Sequence, residues 1–398
     1  MKGTDSINRV ELLSIPGVKM RFKQAISQCL KGSFSFIFAG LFTFLLFSCN
    51  FAIASSDLAA YPVQTEAKMH VVVAIPFREN MPLEPNWYSE EFVTYIANLL
   101  PQDQYEVTGY FVSLQNIPKF LDDMFALHLK HENLRVLNFC DGGEWDGYPG
   151  ISVTKMWEMH AINGLVAVSG ANREFLFNSD DKLRMHSYLC KAKLTTLPQA
   201  LVPYQTVRSI DLNSLLSEAG LDQSWPLFCK LNVGAGALGI SHSSICNNMT
   251  ELKAQLERLN SDFPISDILV QPYLPGPEYT IFVINDKTYA GVRRDFNNHY
   301  NLMQEDYLMD EDNIEDEITY YPAPLAVQQV ALNAIQAIPG RHHYTRVDLR
   351  ADGKGNVYVI DINDRPAIGN PSTIKCMLDY NKLSESQMVL DIINSCIK

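Results

Sequence analysis

The residue pattern with the clearest chemical meaning lies near the C-terminus, where two strand-like segments carry oxygen ligands. The sequence RVD occupies residues 346–348, DIN occupies residues 361–363, and a turn sequence, DGKGN, lies between them. The two segments are predicted to form a hairpin in which Asp361 and Asn363 share a face and a suitable register places Asp348 opposite them. Three hard oxygen ligands suit Mg²⁺ that bridges phosphates, although solvated turn acids would give the same pattern.

A second pattern offers positive charge and backbone donors to an anion. Lys230 closes an apolar strand and is followed directly by the Gly- and Ala-rich residues 232–239. Small residues let backbone N–H groups approach an anion closely, and the lysine adds a point charge. The Walker A pattern is absent, and a flexible surface loop would look the same. A third segment, residues 268–278, is an apolar strand that leads through a linker to an acid.

Together these segments resemble the ATP-grasp superfamily, most closely its D-alanine–D-alanine ligase branch. The resemblance extends from about residue 69 to the C-terminus. Its motifs are, in order, DDKL at residues 180–183, TLP at 196–198, FCK at 228–230, VQPYLPGPE at 270–278, RVD at 346–348 and DIN at 361–363. No single motif is highly specific, and the resemblance depends on their common order and spacing.

The resemblance implies an ATP-grasp architecture of α/β and α+β parts, in which an N-terminal open parallel α/β domain precedes two α+β subdomains that clamp ATP. The resemblance implies that Lys182, Lys230 and the loop residue Gly236 bind the phosphates of ATP. Gln271 and the backbone around Tyr273 and Leu274 would bind the adenine edge, and Glu278 would bind the ribose. Asp348, Asp361 and Asn363 would hold two Mg²⁺ ions, for which Mn²⁺ could substitute. Arg346 would face the transferred phosphoryl group, and Ser372 falls where the family binds a substrate carboxylate.

These roles imply a ligase that joins a small-molecule carboxylate to a small-molecule amine. A carboxylate attacks the γ-phosphate to form an acyl phosphate, and an amine then displaces phosphate through a tetrahedral intermediate. Arg346 suits the developing oxyanion because its guanidinium stays charged and bidentate. A homodimer is expected only because the family often forms one. Nucleic acid is not an expected partner, since the net charge is −13 and no basic stripe is present.

The sequence departs from the family's pattern mainly on the side of the second substrate. Asp361 and Gln271 stand where the family usually has Glu, and both keep an oxygen that can serve the same purpose. Four departures are larger. In the phosphate loop, Gly236 and Ala237 replace two serines, and in the lid, Glu311 and Asp312 replace a Lys-Tyr pair. After the last strand, Ala367 replaces a glycine and Arg365 precedes Pro366, while near the N-terminus PFREN at residues 76–80 replaces a Gly-rich turn with a substrate-orienting Glu.

These departures predict a substrate other than D-alanine. Residues 305–317 contain eight acids, which would repel phosphates and could instead attract a cationic amine. A solvated acidic loop is the alternative interpretation.

The order of predicted elements divides the chain into four parts. Residues 1–68 form a leader, residues 69–170 alternate strands and helices as in an open parallel α/β domain, and residues 171–273 and 274–398 form two α+β subdomains. Close strands joined by short turns in the last part predict antiparallel pairing.

The leader raises a question of compartment. Residues 33–54 carry no charge and follow several basic residues, which is typical of a signal peptide or a membrane anchor rather than a buried helix. ATP chemistry favours the cytoplasm, so the localisation stays open. The true start could be Met69, which removes the leader, the enzyme could be held at a membrane, or it could be exported to a compartment with ATP. A start at Met20 would instead give a conventional signal peptide that ends at Ala54. The six cysteines beyond the leader could form three disulfides or none, and without a CxxC pair they predict no zinc site.

Two other classes of function remain open at this point. A degenerate relative could bind ATP without ligase activity, and an exported protein could use the same cleft to bind another ligand. The retained set of Arg346, Asp348, Asp361 and Asn363 favours the ligase, because a simple binder does not need it.

Overall fold

The computed structural model describes residues 68–79, 89–140, 147–234, 237–296, 318–369 and 373–396. These residues belong to one compact unit, Glu66–Lys398. Residues 1–67 of the predicted leader, including the apolar residues 33–54, lie outside the described residues. In the ranges that are described, no helix is long and apolar enough to cross a membrane.

The N-terminal part is the predicted parallel sheet with helices on both faces. Its elements are β1 (Met69–Pro76), α1 (Glu90–Leu99), β2 (Tyr105–Val112), α2 (Ile117–His128), β3 (Leu134–Asn138), α3 (Gly150–Met159) and β4 (Ala167–Val168). The strand order is β2-β1-β3-β4, and all pairs are parallel. Strand β1 is central and almost completely buried, as its run of β-branched residues predicts. Sequence reasoning missed α3, and Ser89 precedes α1 without donating or accepting a side-chain capping hydrogen bond.

The next part begins with two short helices, α4 (Arg173–Ser179) and α5 (Lys182–Lys191). The sequence pattern of residues 180–191 predicts one helix over that whole range. This prediction is wrong at its start, because Asp181 is extended and its side chain accepts a hydrogen bond from Arg184 N as an N-cap. This cap sets Lys182 as the first residue of α5.

A four-stranded antiparallel sheet follows. Its elements are β5 (Ala200–Val202), α6 (Leu212–Glu218), β6 (Leu227–Leu231), β7 (Ile245–Cys246), α7 (Met249–Asp262) and β8 (Ile268–Pro272). The strand order is β5-β8-β6-β7. The helices α6 and α7, which sequence reasoning also missed, pack on one face through an apolar core. The opposite face carries Lys230 and Gln271.

The C-terminal part is a five-stranded antiparallel sheet with helices on both faces. Its elements are β9 (Glu278–Ile284), β10 (Lys287–Phe296), β11 (Ile318–Pro322), α8 (Leu325–Ala337), β12 (Tyr344–Ala351), β13 (Val357–Asn363), α9 (Thr373–Asn381) and α10 (Glu385–Asn394). The order β11-β10-β9-β12-β13 confirms the predicted antiparallel pairing.

The two faces of the five-stranded sheet have different surroundings. One face packs against α4, α5 and α8 in a continuous apolar core. The other face is apolar only at one end, where Phe282 and Tyr344 join β1, α1, α9 and α10. Its other end is polar and carries the predicted site residues. The α/β and α+β architecture predicted from sequence is therefore confirmed, whereas the boundaries at residues 170 and 273 stay predictions.

Candidate active site

The polar end of the five-stranded sheet brings together the predicted metal ligands and Arg346. Asp348 lies directly opposite Asp361 in the β12–β13 hairpin, and Arg346 lies opposite Asn363. Because directly opposite residues of an antiparallel pair share a face, all four side chains lie on the same surface. The structure thus has the predicted hairpin in the predicted register, while the roles of the four residues stay predictions.

Asp348 is buried, and both of its carboxylate oxygens accept hydrogen bonds. Thr280 Oγ1 donates to Asp348 Oδ1 at 3.0 Å. Arg346 approaches Asp348 Oδ2 with Nε at 3.0 Å and with Nη2 at 2.9 Å. Burial raises the pKa of Asp348, and Arg346 opposes that shift. These contacts fix the guanidinium of Arg346 over the polar face, where it keeps its charge.

Two lysines from other elements reach the same face. Lys182 Nζ donates to Gly234 O at 2.9 Å and lies 3.4 Å from Asp361 Oδ1. Lys230 Nζ donates to Ile360 O at 2.9 Å and so connects β6 with β13. The strand β6 and the N-cap of α5 therefore place both ammonium groups beside the β13 end of the polar face.

The charges in this cluster are unbalanced in favour of an anion. Burial lowers the pKa of Lys230 to about 7, and the positive charge of Lys182 adds to the shift. Burial alone would raise the pKa of Asp361, but Lys182, Lys230 and Arg346 outweigh it and hold that pKa below its usual value. Three cationic side chains face two carboxylates, Asp348 and Asp361, so an additional anion would relieve the remaining repulsion between the cations.

Glu278, the predicted ribose ligand, is buried between two arginines. Arg294 Nη2 donates to Glu278 Oε1, and Arg350 Nη1 lies 3.7 Å from Glu278 Oε2. The three side chains form a row because Glu278 lies opposite Arg294 in β10 and opposite Arg350 in β12. Arg294 Nη2 also donates to Thr280 Oγ1 at 3.0 Å, which joins this row to Asp348. A ribose at Glu278 would therefore share the carboxylate with Arg294.

Sequence reasoning missed both arginines, although Arg350 left a signal. Arg346, Asp348 and Arg350 alternate along β12, so they occupy one face by the two-residue period of a strand. The short turn at residues 285–286 would by itself place Arg293 opposite Glu278, and a bulge between Thr288 and Ala290 shifts the β9–β10 register so that Arg294 takes that place.

The predicted adenine-binding residues lie at the end of β8. Gln271 is buried, and Gln199 Nε2 donates to Gln271 Oε1 at 3.4 Å. Leu274 is buried beside the linker, and the guanidinium of Arg350 lies 5.7 Å from the ring centroid of Tyr273. Tyr273 N donates to Pro226 O at 2.9 Å. The N–H group of Tyr273 is thus already used within the fold, which leaves the side chain of Gln271 and the residues after Tyr273 to meet a base.

The turn after β13 differs from the family's pattern and holds two parts of the fold together. Arg365 is buried, and its Nη1 donates to Cys140 O at 2.6 Å and to Gly150 O at 3.4 Å. Arg365 Nε lies 3.1 Å from Asp364 Oδ2. These contacts fix the end of β13 against both sides of the segment between β3 and α3.

Several predicted site residues lie outside the described residues. They are Gly236, Ser372 and the acidic residues 305–317. Glu79 lies at the end of the first described range, where its carboxylate accepts a hydrogen bond from Ser113 Oγ at 2.6 Å. The six cysteines beyond the leader are free thiols in the structure.

The donors on the polar face fit a hard divalent cation. Asp348, Asp361 and Asn363 offer two carboxylates and one amide oxygen, the ligand types that Mg²⁺ prefers. Asp348 and Asp361 are directly opposite each other, so a cation near them would offset the repulsion between neighbouring carboxylates. Among the described residues, no cluster of three or more His, Cys, Asp or Glu side chains could hold a metal ion. A bound ion would therefore depend on Asn363 and on phosphate or water oxygens as further ligands.

Comparison with known proteins agrees with this arrangement. The family model for the D-ala D-ala ligase C-terminus matches residues 194–394, which is half of the chain. The chain belongs to this family. The matched residues include the middle sheet, the polar face with its hairpin and the turn that contains Arg365, so the site described above lies largely within the D-ala D-ala ligase C-terminus domain.

Solved structures of ligases share the fold. The D-alanine–D-alanine ligase from Bacillus anthracis in complex with ATP superposes with a TM-score of 0.58 at 17% identity, covering 83% of this chain and 97% of that one. The VanG D-Ala:D-Ser ligase from Enterococcus faecalis gives 0.59 at 14% identity, covering 83% and 100%. Both superpositions extend into the N-terminal part of the chain, which the family model does not match. The chain therefore has the ATP-grasp fold of an ATP-dependent carboxylate–amine ligase family.

Proposed function

We propose that the protein is an ATP- and Mg²⁺-dependent ligase that joins a carboxylate to an amine through an acyl phosphate. One observation carries the proposal: Lys182, Lys230 and Arg346 converge on the polar face beside Asp348 and Asp361. Fixed positive charge next to paired oxygen ligands suits a polyphosphate with its metal ion.

The proposed reaction has two steps. A substrate carboxylate oxygen attacks the γ-phosphorus of ATP, the bond to the bridging oxygen breaks, and ADP leaves. The amine nitrogen then attacks the acyl carbon, loses a proton, and expels phosphate. Lys182 and Lys230 would hold the phosphates, and Arg346 would stabilise the negative charge that develops on the transferred group and then on the tetrahedral oxyanion.

Magnesium would be held by Asp348, Asp361 and Asn363, and two ions are expected from the resemblance. Bound Mg²⁺ would neutralise phosphate charge during transfer. The same oxygen donors suit Mn²⁺. The carboxylates of Asp348 and Asp361 keep their own partners in Arg346 and Lys182, which orient them toward the ion.

The second substrate is proposed to differ from D-alanine. Arg365 occupies a position next to Pro366 and spans from the end of β13 to the carbonyl groups of Cys140 and Gly150. The buried Arg365–Asp364 pair would change the shape and polarity of the region where the family binds its amino-acid substrates, so a different carboxylate or amine is expected there.

One observation supports the alternative of an ATP-binding protein without ligase activity. Glu278, the predicted ribose ligand, is engaged by Arg294 and Arg350 in the ligand-free fold. If these contacts persist in the complex, ATP would lose a hydrogen-bond acceptor for its ribose, and affinity and alignment would both fall.

The test is the melting temperature of the full chain with and without ATP and Mg²⁺. A ligand at a hundred times its dissociation constant stabilises a protein by about 2.7 kcal/mol. We expect a Mg²⁺-dependent rise that Asp361→Asn loses and that Asp286→Asn, a matched change at an exposed turn, retains. A screen of carboxylate and amine pairs for ADP release then follows. If ATP and Mg²⁺ do not raise the melting temperature of the intact protein, the protein does not bind ATP. If they raise it but no carboxylate and amine pair releases ADP, the inactive ATP binder is favoured.

A further inference from the structure

Two glutamine side chains meet where the base of a nucleotide is proposed to bind. The β5–β8 register pairs Ala200 with Val270, and the next residues along each strand, Gln199 and Gln271, come opposite each other. Gln199 Nε2 donates to Gln271 Oε1 at 3.4 Å. Gln199 Oε1 is buried and accepts no hydrogen bond from any residue that the structure describes. The pair is therefore linked by one bond and still has hydrogen-bonding capacity to offer.

The sheet face around this glutamine pair offers an apolar contact and a nearby cation. The same face carries Leu201 and Leu269, which are paired across β5 and β8, while their neighbours Ala200 and Val270 point into the apolar core. Leu269 is completely buried, and Leu201 is half-buried. Lys230, the proposed phosphate ligand, lies opposite Leu269 and is therefore a diagonal neighbour of Gln271. A flat base could contact Leu201 with its polar edge toward the two amides.

An amide pair of this kind can present its groups in two ways. In the present arrangement Gln271 offers its NH₂ group and Gln199 offers its oxygen to a ligand. If both amides turn by 180°, Gln271 Nε2 donates to Gln199 Oε1, and the pair offers an oxygen at 271 and an NH₂ group at 199. The bond within the pair is kept in both arrangements, because each amide carries both a donor and an acceptor.

The two arrangements match the two purines. Adenine has a donor at N6 and an acceptor at N1, whereas guanine has an acceptor at O6 and a donor at N1. A carboxylate at position 271 would offer acceptors only and would repel O6 of guanine, so it would select adenine. An amide has no such preference.

From this geometry, we propose that the protein accepts adenine and guanine nucleoside triphosphates with comparable efficiency. The Gln199–Gln271 pair adapts to either base by reversing both amides. The inference rests on the proposed nucleotide site and concerns which bases that site accepts.

The experiment measures dissociation constants of ATP, GTP and ITP, each with Mg²⁺, on the full chain by titration calorimetry. We expect the ATP and GTP constants to agree within about tenfold. ITP has the edge of guanine but lacks its 2-amino group, so it reports on the edge alone. Binding of ITP with the affinity of ATP but of GTP a hundredfold more weakly would overturn the inference for guanine and assign the loss to the 2-amino group.

Two variants connect the result to the glutamine pair. Gln271→Glu fixes an acceptor at the position where the family usually has Glu, so we expect the preference for ATP over GTP and ITP to rise to roughly a hundredfold. Gln271→Met, which has a similar size but no hydrogen-bonding group, should weaken ATP and ITP by similar factors. Gln199→Glu places the carboxylate at the half-buried position and serves if Gln271→Glu does not fold.

The outcomes separate this inference from the proposed function. Tight binding of ATP with ITP and GTP both weaker by a hundredfold or more would overturn the inference and leave the nucleotide site in place. An unchanged base preference in both Glu variants would also overturn it. Failure of all three nucleotides to bind would overturn the proposed function and the inference together.

Discussion

The end of β13 and the turn that follows it are neighbouring parts of the candidate site, but the strand keeps the residue pattern of the family and the turn departs from it. On the strand, Asp361 and Asn363 lie opposite Asp348 and Arg346, and these four residues follow the family's pattern with one Glu-to-Asp difference. The turn after Asn363 keeps the proline of the family's pattern but departs from it at Arg365 and Ala367. Asp364 and Arg365 are buried there as an ion pair.

This difference indicates that the two halves of the reaction carry different constraints. The nucleotide half must place metal ligands and cations around phosphates, and few side-chain sets can do so. The second half of the proposed reaction must fit a particular substrate, and the buried Arg365–Asp364 pair with its two backbone carbonyl partners would give that half another shape. The chemistry and the substrate can therefore change independently, which the following variants test.

The largest effect is expected on the nucleotide side from Lys230→Met. The substitution keeps the length of the side chain but removes the ammonium group that lies between β6 and Ile360. We expect ATP affinity to fall by about a hundredfold, since charge-assisted bonds to phosphate are lost. Lys354→Met, at an exposed turn between β12 and β13, is the matched control and should keep the affinity. Equal affinities of the two variants would show that Lys230 does not meet the phosphates.

A smaller and different effect is expected from Arg365→Leu. Cys140 O and Gly150 O lose a buried donor, so the free energy of unfolding should fall by about 2–3 kcal/mol. The ligation rate should fall about tenfold because the turn after β13 loses its hydrogen bonds to Cys140 and Gly150 and is positioned less precisely. The dissociation constant of ATP should stay within about twofold.

Titration calorimetry with ATP measures the dissociation constant of Arg365→Leu, and urea unfolding separately measures its free energy of unfolding. Arg173→Leu, at an exposed arginine paired with Glu158, is the control for the loss of one cation. A parallel loss of ATP affinity in Arg365→Leu would contradict the independence of the two halves.

The same contrast explains how much of the molecule could be predicted from its sequence. The hairpin and the shared face of Asp361 and Asn363 follow from a turn sequence and the two-residue period of strands, so they were predictable. The bulge between Asp348 and Leu349, which brings Asp348 opposite Asp361, was not predictable from that pattern. The N-cap of α5 was misjudged because Asp180 and Asp181 suit either the interior of a short helix or its cap, and only the bond to Arg184 N decides.

Contacts between distant segments could not be predicted in the same way. Arg365 meets Cys140 across 225 residues of sequence, and Gln199 meets Gln271 across 72. No local pattern encodes such contacts, because they depend on how separate sheets and loops pack together. The pairing of Glu278 with Arg294 is intermediate, since it follows from the register of one hairpin once that register is known.

The smallest expected effect is a gradual change of ATP affinity with pH. Lys230 has a pKa of about 7 in the ligand-free protein because it is buried beside Lys182. A bound phosphate favours the charged ammonium and raises that pKa, so binding above pH 7 takes up a proton. The affinity for ATP should therefore fall as pH rises above 7, by up to about tenfold per unit. Calorimetry at pH 8 in two buffers with different ionisation enthalpies should give an uptake of about one proton.

Lys230→Arg is the variant that assigns this proton. An arginine at the same place stays charged throughout this pH range, so it should bind ATP without the uptake and with a flat pH dependence. Ionisation of ATP itself is the same for both proteins and cancels in the comparison. An uptake that persists in Lys230→Arg would assign the proton to another group. Lys182 would then be the first group to examine, because it lies 3.4 Å from Asp361 in the same cluster.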